Sequence, residues 1–172
     1  MTDTTTTTAS GSPVSTVHTV TARTDEDMRA LGQELAGLVE PGDLLILSGS
    51  LGAGKTTLTR GLGEGLGVRG AVTSPTFVIS RIHPSLTGGP DLVHVDAYRL
   101  GGADEIDDID LDATLHDSVT VVEWGKGVAE ELSDQRLEIS IERHPDDTRT
   151  VHLHAVGTRW SHSELPGHAG RR

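Results

Sequence analysis

Residues 44–57 read LLILSGSLGAGKTT, and this stretch decides the fold. Leu44 to Leu47 is an unbroken apolar run, the pattern of a strand covered on both faces in a parallel sheet. Gly49-Ser50-Leu51-Gly52-Ala53-Gly54-Lys55-Thr56 then fits G-x-x-x-x-G-K-[ST] at every fixed position. Each residue type has a physical task. The glycines let the backbone turn tightly and aim successive amides at phosphate oxygens. A helix starting at the loop adds its positive end. Lys55 supplies a mobile charge for the outer phosphates, and Thr56 a hydroxyl for magnesium. An amphipathic helix is expected from Lys55 to Leu66, so strand, loop and helix follow in register.

Upstream, Ser15 to Ala22 reads as a strand, with Val17 its surest inward residue. Thr24 is an N-cap candidate, and Asp25, Glu26 and Asp27 place negative charge at the positive end of the helix it opens. Met28, Leu31, Leu35 and Leu38 recur at helical spacing, and Pro41-Gly42 ends the element. Downstream, Phe77 to Ile82, Leu92 to Tyr98 and Val119 to Val122 are strand candidates. Arg136 to Glu142 and Arg149 to Val156 both alternate apolar and polar about Pro145-Asp146-Asp147, the pattern of an antiparallel hairpin. The expected architecture is an α/β P-loop NTPase three-layer fold with a mixed, partly parallel central sheet and a C-terminal antiparallel hairpin.

The domain spans 16–157. Residues 1–15 are Thr, Ser, Gly and Pro, too polar to offset the entropy of ordering, and predict a disordered tail. Residues 158–172 predict a disordered or loosely docked tail in which Trp160 alone is equipped to dock. Aromatic residues are only 2% of the 172, so the core is built from Leu, Val, Ile and Ala. There is no cysteine, which removes disulfides, thiolate nucleophiles and Cys-based zinc sites. The formal charge of −12, from 14 basic and 26 acidic residues, repels phosphate backbones and argues against unaided RNA or DNA binding. No apolar run approaches the roughly 20 residues of a membrane helix, and Met1-Thr-Asp with its threonine run is no secretory signal.

A P-loop enzyme needs an acid at the end of a neighbouring strand to hold magnesium or polarise water. Asp96 and Glu123 each follow an apolar run and should emerge where open α/β sheets bind ligands. Ser74-Pro75-Thr76 is a candidate switch segment, with a plain turn as the alternative. Arg81 and Arg99 are candidates for neutralising transition-state charge, or for pairing with surface acids. The stretch Asp104 to Asp112 reads as a short helix and turn with a solvated face. His152 and His154 share one face of the hairpin, and two histidines are fewer than a zinc site requires.

The order GSLGAGKTT at 49–57, Ser74-Pro75-Thr76-Phe77, His94-Val95-Asp96-Ala97-Tyr98-Arg99-Leu100 and Val122-Glu123-Trp124 resembles the TsaE family. That family is the ATPase of tRNA threonylcarbamoyladenosine biosynthesis, and the likeness runs from about Thr24 to Val156. The resemblance implies a cytoplasmic, Mg2+-dependent ATP hydrolase, weak alone and activated by its partners TsaD and TsaB, with tRNA reached only through the complex and no membrane or DNA role. It implies that Lys55 and the loop Gly49, Ser50, Leu51, Gly52, Ala53, Gly54, Thr56 and Thr57 hold the phosphates. Thr56 and Glu123 become the magnesium ligands and Asp96 the acid that orients water. Trp124 packs or meets a partner. Thr24 and Asp25 fall where the family's N-terminal segment approaches the base, and Arg149 matches a late arginine near the nucleotide. The threonine-rich head and the His- and Arg-containing end have no counterpart in the family pattern, and the glycine-rich loop Pro84 to Pro90 reads as variable.

Three alternatives compete. A small-molecule kinase or other P-loop phosphotransferase needs a second substrate pocket and an arginine-bearing lid, for which the short segments leave little room. A GTPase needs an N-K-x-D type segment, and the chain has no Asn at all. A non-hydrolysing scaffold does not need both Asp96 and Glu123.

Overall fold

The computed structural model describes residues 16–73, 80–98, 111–161 and 163–171. Among the described residues, eight strands form one sheet: β1 (Thr16–Ala22), β2 (Leu44–Gly49), β3 (Ser80–His83), β4 (Asp91–Asp96), β5 (Ser118–Glu123), β6 (Arg136–Arg143), β7 (Arg149–Val156) and β8 (His168–Arg171). Their spatial order is β3-β4-β5-β2-β6-β7-β1-β8. The four middle strands β4, β5, β2 and β6 run parallel. The flanking pairs β3·β4, β6·β7, β7·β1 and β1·β8 are antiparallel. The mixed sheet and the β6–β7 hairpin are those expected from the sequence. Apolar runs fill the strands that are covered on both faces, and alternating ones fill the hairpin.

Helices α1 (Asp25–Ala36) and α2 (Lys55–Leu66) lie on one face. Thr24 caps α1 reciprocally: its Oγ1 accepts from the Asp27 amide at 3.1 Å, and the Asp27 carboxylate accepts from the Thr24 amide at 3.2 Å. This satisfies two otherwise orphaned amides. The apolar stripe of α1 (Met28, Leu31, Leu35) packs with Leu58 and Leu62 of α2 over Leu45, Leu47, Val121 and Ile139 of the sheet. The two helices approach at glycines. A Cβ on Gly61 would lie 2.0 Å from the Arg29 carbonyl oxygen, and one on Gly32 would lie 2.2 Å from that of Leu58. On the opposite face a smaller cluster joins Leu44, Ile46, Val93, Val95 and Val122 to Leu111 and Ala129. The short helix α3 (Asp112–Leu115) leads into β5.

For the C-terminal segment the sequence predicts a disordered or loosely docked tail with Trp160 as its docking residue, and the structure gives that segment specific contacts. Thr158–Trp160 forms a 3-10 turn, Trp160 is buried, and residues 168–171 add β8 to the free edge of β1. Arg159 explains the anchoring. Its Nε and Nη2 donate to both oxygens of Asp43 at 3.0 and 2.8 Å, and Nη2 also donates to the Leu38 carbonyl at 2.9 Å. A bidentate arginine–carboxylate pair fixes position as well as charge. Composition could not reveal it, because Asp43 lies 116 residues away.

The described part of the expected Phe77 to Ile82 run, from Ser80 on, lies in strand β3. Residues 1–15, Ser74 to Thr76, Phe77, Arg99 and most of the Asp104 to Asp112 stretch lie outside the described residues.

Candidate functional site

The P-loop connects β2 to α2 at the carboxyl ends of the parallel strands. Its glycines are required by geometry. Gly54 adopts φ +109°, outside the reach of ordinary side chains. A Cβ on Gly49 would stand 2.7 Å from the Ile141 carbonyl oxygen of β6. The loop is thus wedged against β6 on one side and opens into a cleft of about 500 Å³ on the other. Leu51 to Thr57 line this cleft together with Asp25, Asp96, Tyr98, Glu123, Trp124 and Arg149.

Lys55 is buried and turned back onto its own loop. Nζ donates to the Gly49 carbonyl at 2.8 Å and the Ser50 carbonyl at 2.9 Å. It also lies 4.0 Å from the centre of the Trp124 ring, a cation–π contact. Burial lowers the Lys55 pKa, opposed by the negative charges of Glu123 and Asp96. Trp124 is held there by an unusual backbone: φ is +60°, rare for a bulky residue, and its amide donates to the Leu47 carbonyl at 2.9 Å. Tyr98 packs against the same indole, ring centres 5.1 Å apart.

The two acids stand side by side. Asp96 and Glu123 are paired residues at the ends of the adjacent parallel strands β4 and β5. Glu123 is level with Leu47 of β2, one strand from the P-loop. Its Oε1 accepts from the Thr56 hydroxyl at 3.0 Å, and its Oε2 is 2.8 Å from His94 Nε2. Asp96 Oδ1 accepts from the Tyr98 amide at 3.0 Å. The structure therefore brings Lys55, Thr56, Asp96 and Glu123 to one cleft.

Arg149 and Asp25 meet at the far wall, Nη2 to Oδ1 at 3.3 Å, with Arg149 packed beside Gly54. The Arg149 Nε is buried without a hydrogen-bond partner among the described residues. Thr24 does not line the cleft, and its hydroxyl is engaged in capping α1. Arg81 lies exposed on edge strand β3, away from the cleft lining. His152 and His154 sit on the sheet face opposite α1 and α2, bordering a second cavity of about 140 Å³. There His152 Nδ1 approaches Thr19 Oγ1 at 3.3 Å, and His154 Nδ1 approaches Glu138 Oε2 at 3.1 Å.

Sequence reasoning missed His94 and Tyr98 as site residues. The signal available was parity: 94, 96 and 98 fall on one side of an extended chain, so a polar residue within Leu92 to Val95 shares the face of Asp96.

Residues 22–151 match the family model described as threonylcarbamoyl adenosine biosynthesis protein TsaE. A Streptomyces coelicolor protein named tRNA threonylcarbamoyladenosine biosynthesis protein TsaE is 62% identical over 148 residues, covering 83% of this chain and all of its own. A Bacillus subtilis protein of the same name is 43% identical, over 78% of this chain and 84% of its own. The crystal structure of Bacillus subtilis YdiB superposes with a TM-score of 0.72 at 36% identity, covering 87% of this chain and 93% of the other. With one domain matched almost end to end in sequence, and a solved relative sharing its fold, this chain belongs to the TsaE family.

Proposed function

We propose that this chain is a Mg2+-dependent ATPase that sustains threonylcarbamoyladenosine modification of tRNA beside the anticodon, acting in the cytoplasm with TsaD and TsaB. The observation that carries the reading is the convergence of Thr56, Glu123 and Asp96 beside the P-loop lysine. The donor set suits magnesium, which binds through one or two carboxylates plus substrate phosphates rather than an all-protein cage. The Thr56 hydroxyl and the Glu123 carboxylate, already in contact, would hold it. Once bound, the ion draws off negative charge from the phosphate oxygens.

The chain's own groups do the rest. The loop amides and the N-terminus of α2 cradle the phosphates. Lys55 exchanges the Gly49 and Ser50 carbonyls for phosphate oxygens, a stronger charge-assisted bond. Asp96 orients the attacking water, and the Asp25–Arg149 pair borders the nucleotide. Lys55 and Arg149 bring positive charge into the cleft of a chain whose formal charge is −12. That overall charge favours meeting tRNA through partners rather than directly. Leu51 and Tyr98 are 87% and 69% exposed at the cleft, apolar surface suited to a partner. Among the described residues no helix is long and apolar enough to cross a membrane.

Asp96→Ala tests the hydrolytic assignment. It should keep Mg·ATP binding and lower turnover by about 100-fold or more. Wild-type turnover in a variant that binds ATP normally would move the water-orienting role elsewhere.

A further inference from the structure

His94 is fully buried in β4 between apolar neighbours Val93 and Val95, a place where Leu or Val would cost less to desolvate. Its only hydrogen-bond partner among the described residues is the Glu123 carboxylate. A carboxylate oxygen accepts and does not donate, so Nε2 carries the proton and donates to Oε2 at 2.8 Å. The ring's other nitrogen, Nδ1, is buried with no hydrogen-bond partner among the described residues. Among the described residues, then, the histidine makes one side-chain bond, and that bond ends on Glu123.

The effect on Glu123 follows from geometry. Oε1 is held by Thr56 from α2, and Oε2 by His94 from β4. Two bonds from different elements, one to each oxygen, fix both the position and the rotation of the carboxylate plane. We propose that His94 is a positioning residue for the metal-binding acid. It holds Oε2 so that Oε1, on the Thr56 side, is presented to the cation. The proposal rests on the reading of Glu123 as a magnesium ligand. Groups that orient a ligand from behind commonly govern metal affinity about 10- to 100-fold.

The test measures the Mg2+ concentration that half-saturates ATP binding, by calorimetry, alongside ATP affinity without Mg2+ and stability to urea. His94→Leu removes the donor at similar volume. His94→Asn keeps polarity but is too short to reach Oε2, and His94→Gln places an amide donor close to where Nε2 was. The Leu and Asn variants should raise the Mg2+ half-saturation about tenfold or more with Mg2+-free affinity unchanged, and Gln should restore most of the loss. Should His94→Leu not fold, the Asn and Gln pair carries the comparison. A folded Leu or Asn variant with wild-type Mg2+ dependence, or one losing Mg2+-free affinity equally, overturns the proposal. Glu123→Gln run in parallel separates the two readings. If it weakens Mg2+ dependence while the His94 variants do not, the positioning role alone fails. If it changes nothing, the assignment of Glu123 fails first.

Discussion

Replacing Gly61 by Ala should destabilise the protein, although Ala is the better helix former by about 1 kcal/mol. The added Cβ would sit 2.0 Å from the Arg29 carbonyl oxygen and 2.8 Å from its carbonyl carbon. Ordinary non-bonded contact is roughly 3.5 Å, so about 1.5 Å of clearance is missing. The obstacle is helix backbone, which cannot rotate aside as a side chain would. The helices must separate, and a gap of 0.5–1 Å already forfeits about a quarter to a half of each dispersion contact. The contacts at stake are those of Leu31, Leu35, Leu58 and Leu62, all buried. Overpacking costs about 1–3 kcal/mol, with obstructed backbone at the high end, so the net loss is about 2 kcal/mol. That corresponds to roughly 4–8 °C in Tm for a chain of this size. Because α2 begins at Lys55, ATP affinity should weaken as well. Gly37→Ala is the control. Its nearest neighbour is the Glu34 carbonyl oxygen at 3.4 Å and its φ is −73°. Relief of unfolded-chain entropy should leave it neutral or more stable by up to about 1 kcal/mol. Urea unfolding of both variants checks the reasoning, and a Gly61→Ala protein as stable as wild type would refute the close-approach argument.

Two further outcomes follow from the fold. His83 is buried on β3, and burial lowers its pKa, opposed by a backbone hydrogen bond with Arg69 and reinforced by His94 and Arg81. The unfolded histidine takes up its proton near pH 6.5 while the folded one resists to lower pH. Its stabilising contribution is therefore complete above about pH 6.5 and lost as pH falls below it. The stability of wild type relative to His83→Gln should shrink between about pH 7.5 and 5.5, and a constant difference would contradict the burial argument. Arg159→Ala should cost about 3 kcal/mol in urea unfolding, because it strands the buried Asp43 carboxylate. A loss below about 1 kcal/mol would show that the C-terminal anchor is superficial.

Local chemistry was legible in the sequence, and long-range pairing was not. The bounds of α2 follow from the glycine before it and the apolar spacing within it, and both ends fall where expected. The α1 cap is written in Thr24 and Asp27, and the β6–β7 hairpin in its alternation. Strand β4 stops at Asp96, two residues short of Tyr98. There the Ala97 amide turns to the Glu123 carbonyl, a contact that only the fold creates, and the Tyr98 amide closes a local turn onto the Asp96 carboxylate two residues back. The positive φ of Trp124 lacks a glycine to announce it, so its place over Lys55 could not be read from the sequence. Likewise, His94 reads as one more strand residue until β5 is set beside it, which puts Glu123 within reach. The pairing of β8 with β1 joins the two ends of the described chain, a match no local pattern encodes.

The measurement that bears most directly on the proposed function is Mg2+-dependent ATP hydrolysis by the full chain, alone and with its cognate TsaB–TsaD pair, with Lys55→Ala as the blank. Weak activity alone that rises with the pair and is absent from the blank is the predicted result. Brisk activity indifferent to the pair would leave the nucleotide site standing but contradict the partner-coupled role, and would favour a P-loop phosphotransferase acting on a small molecule.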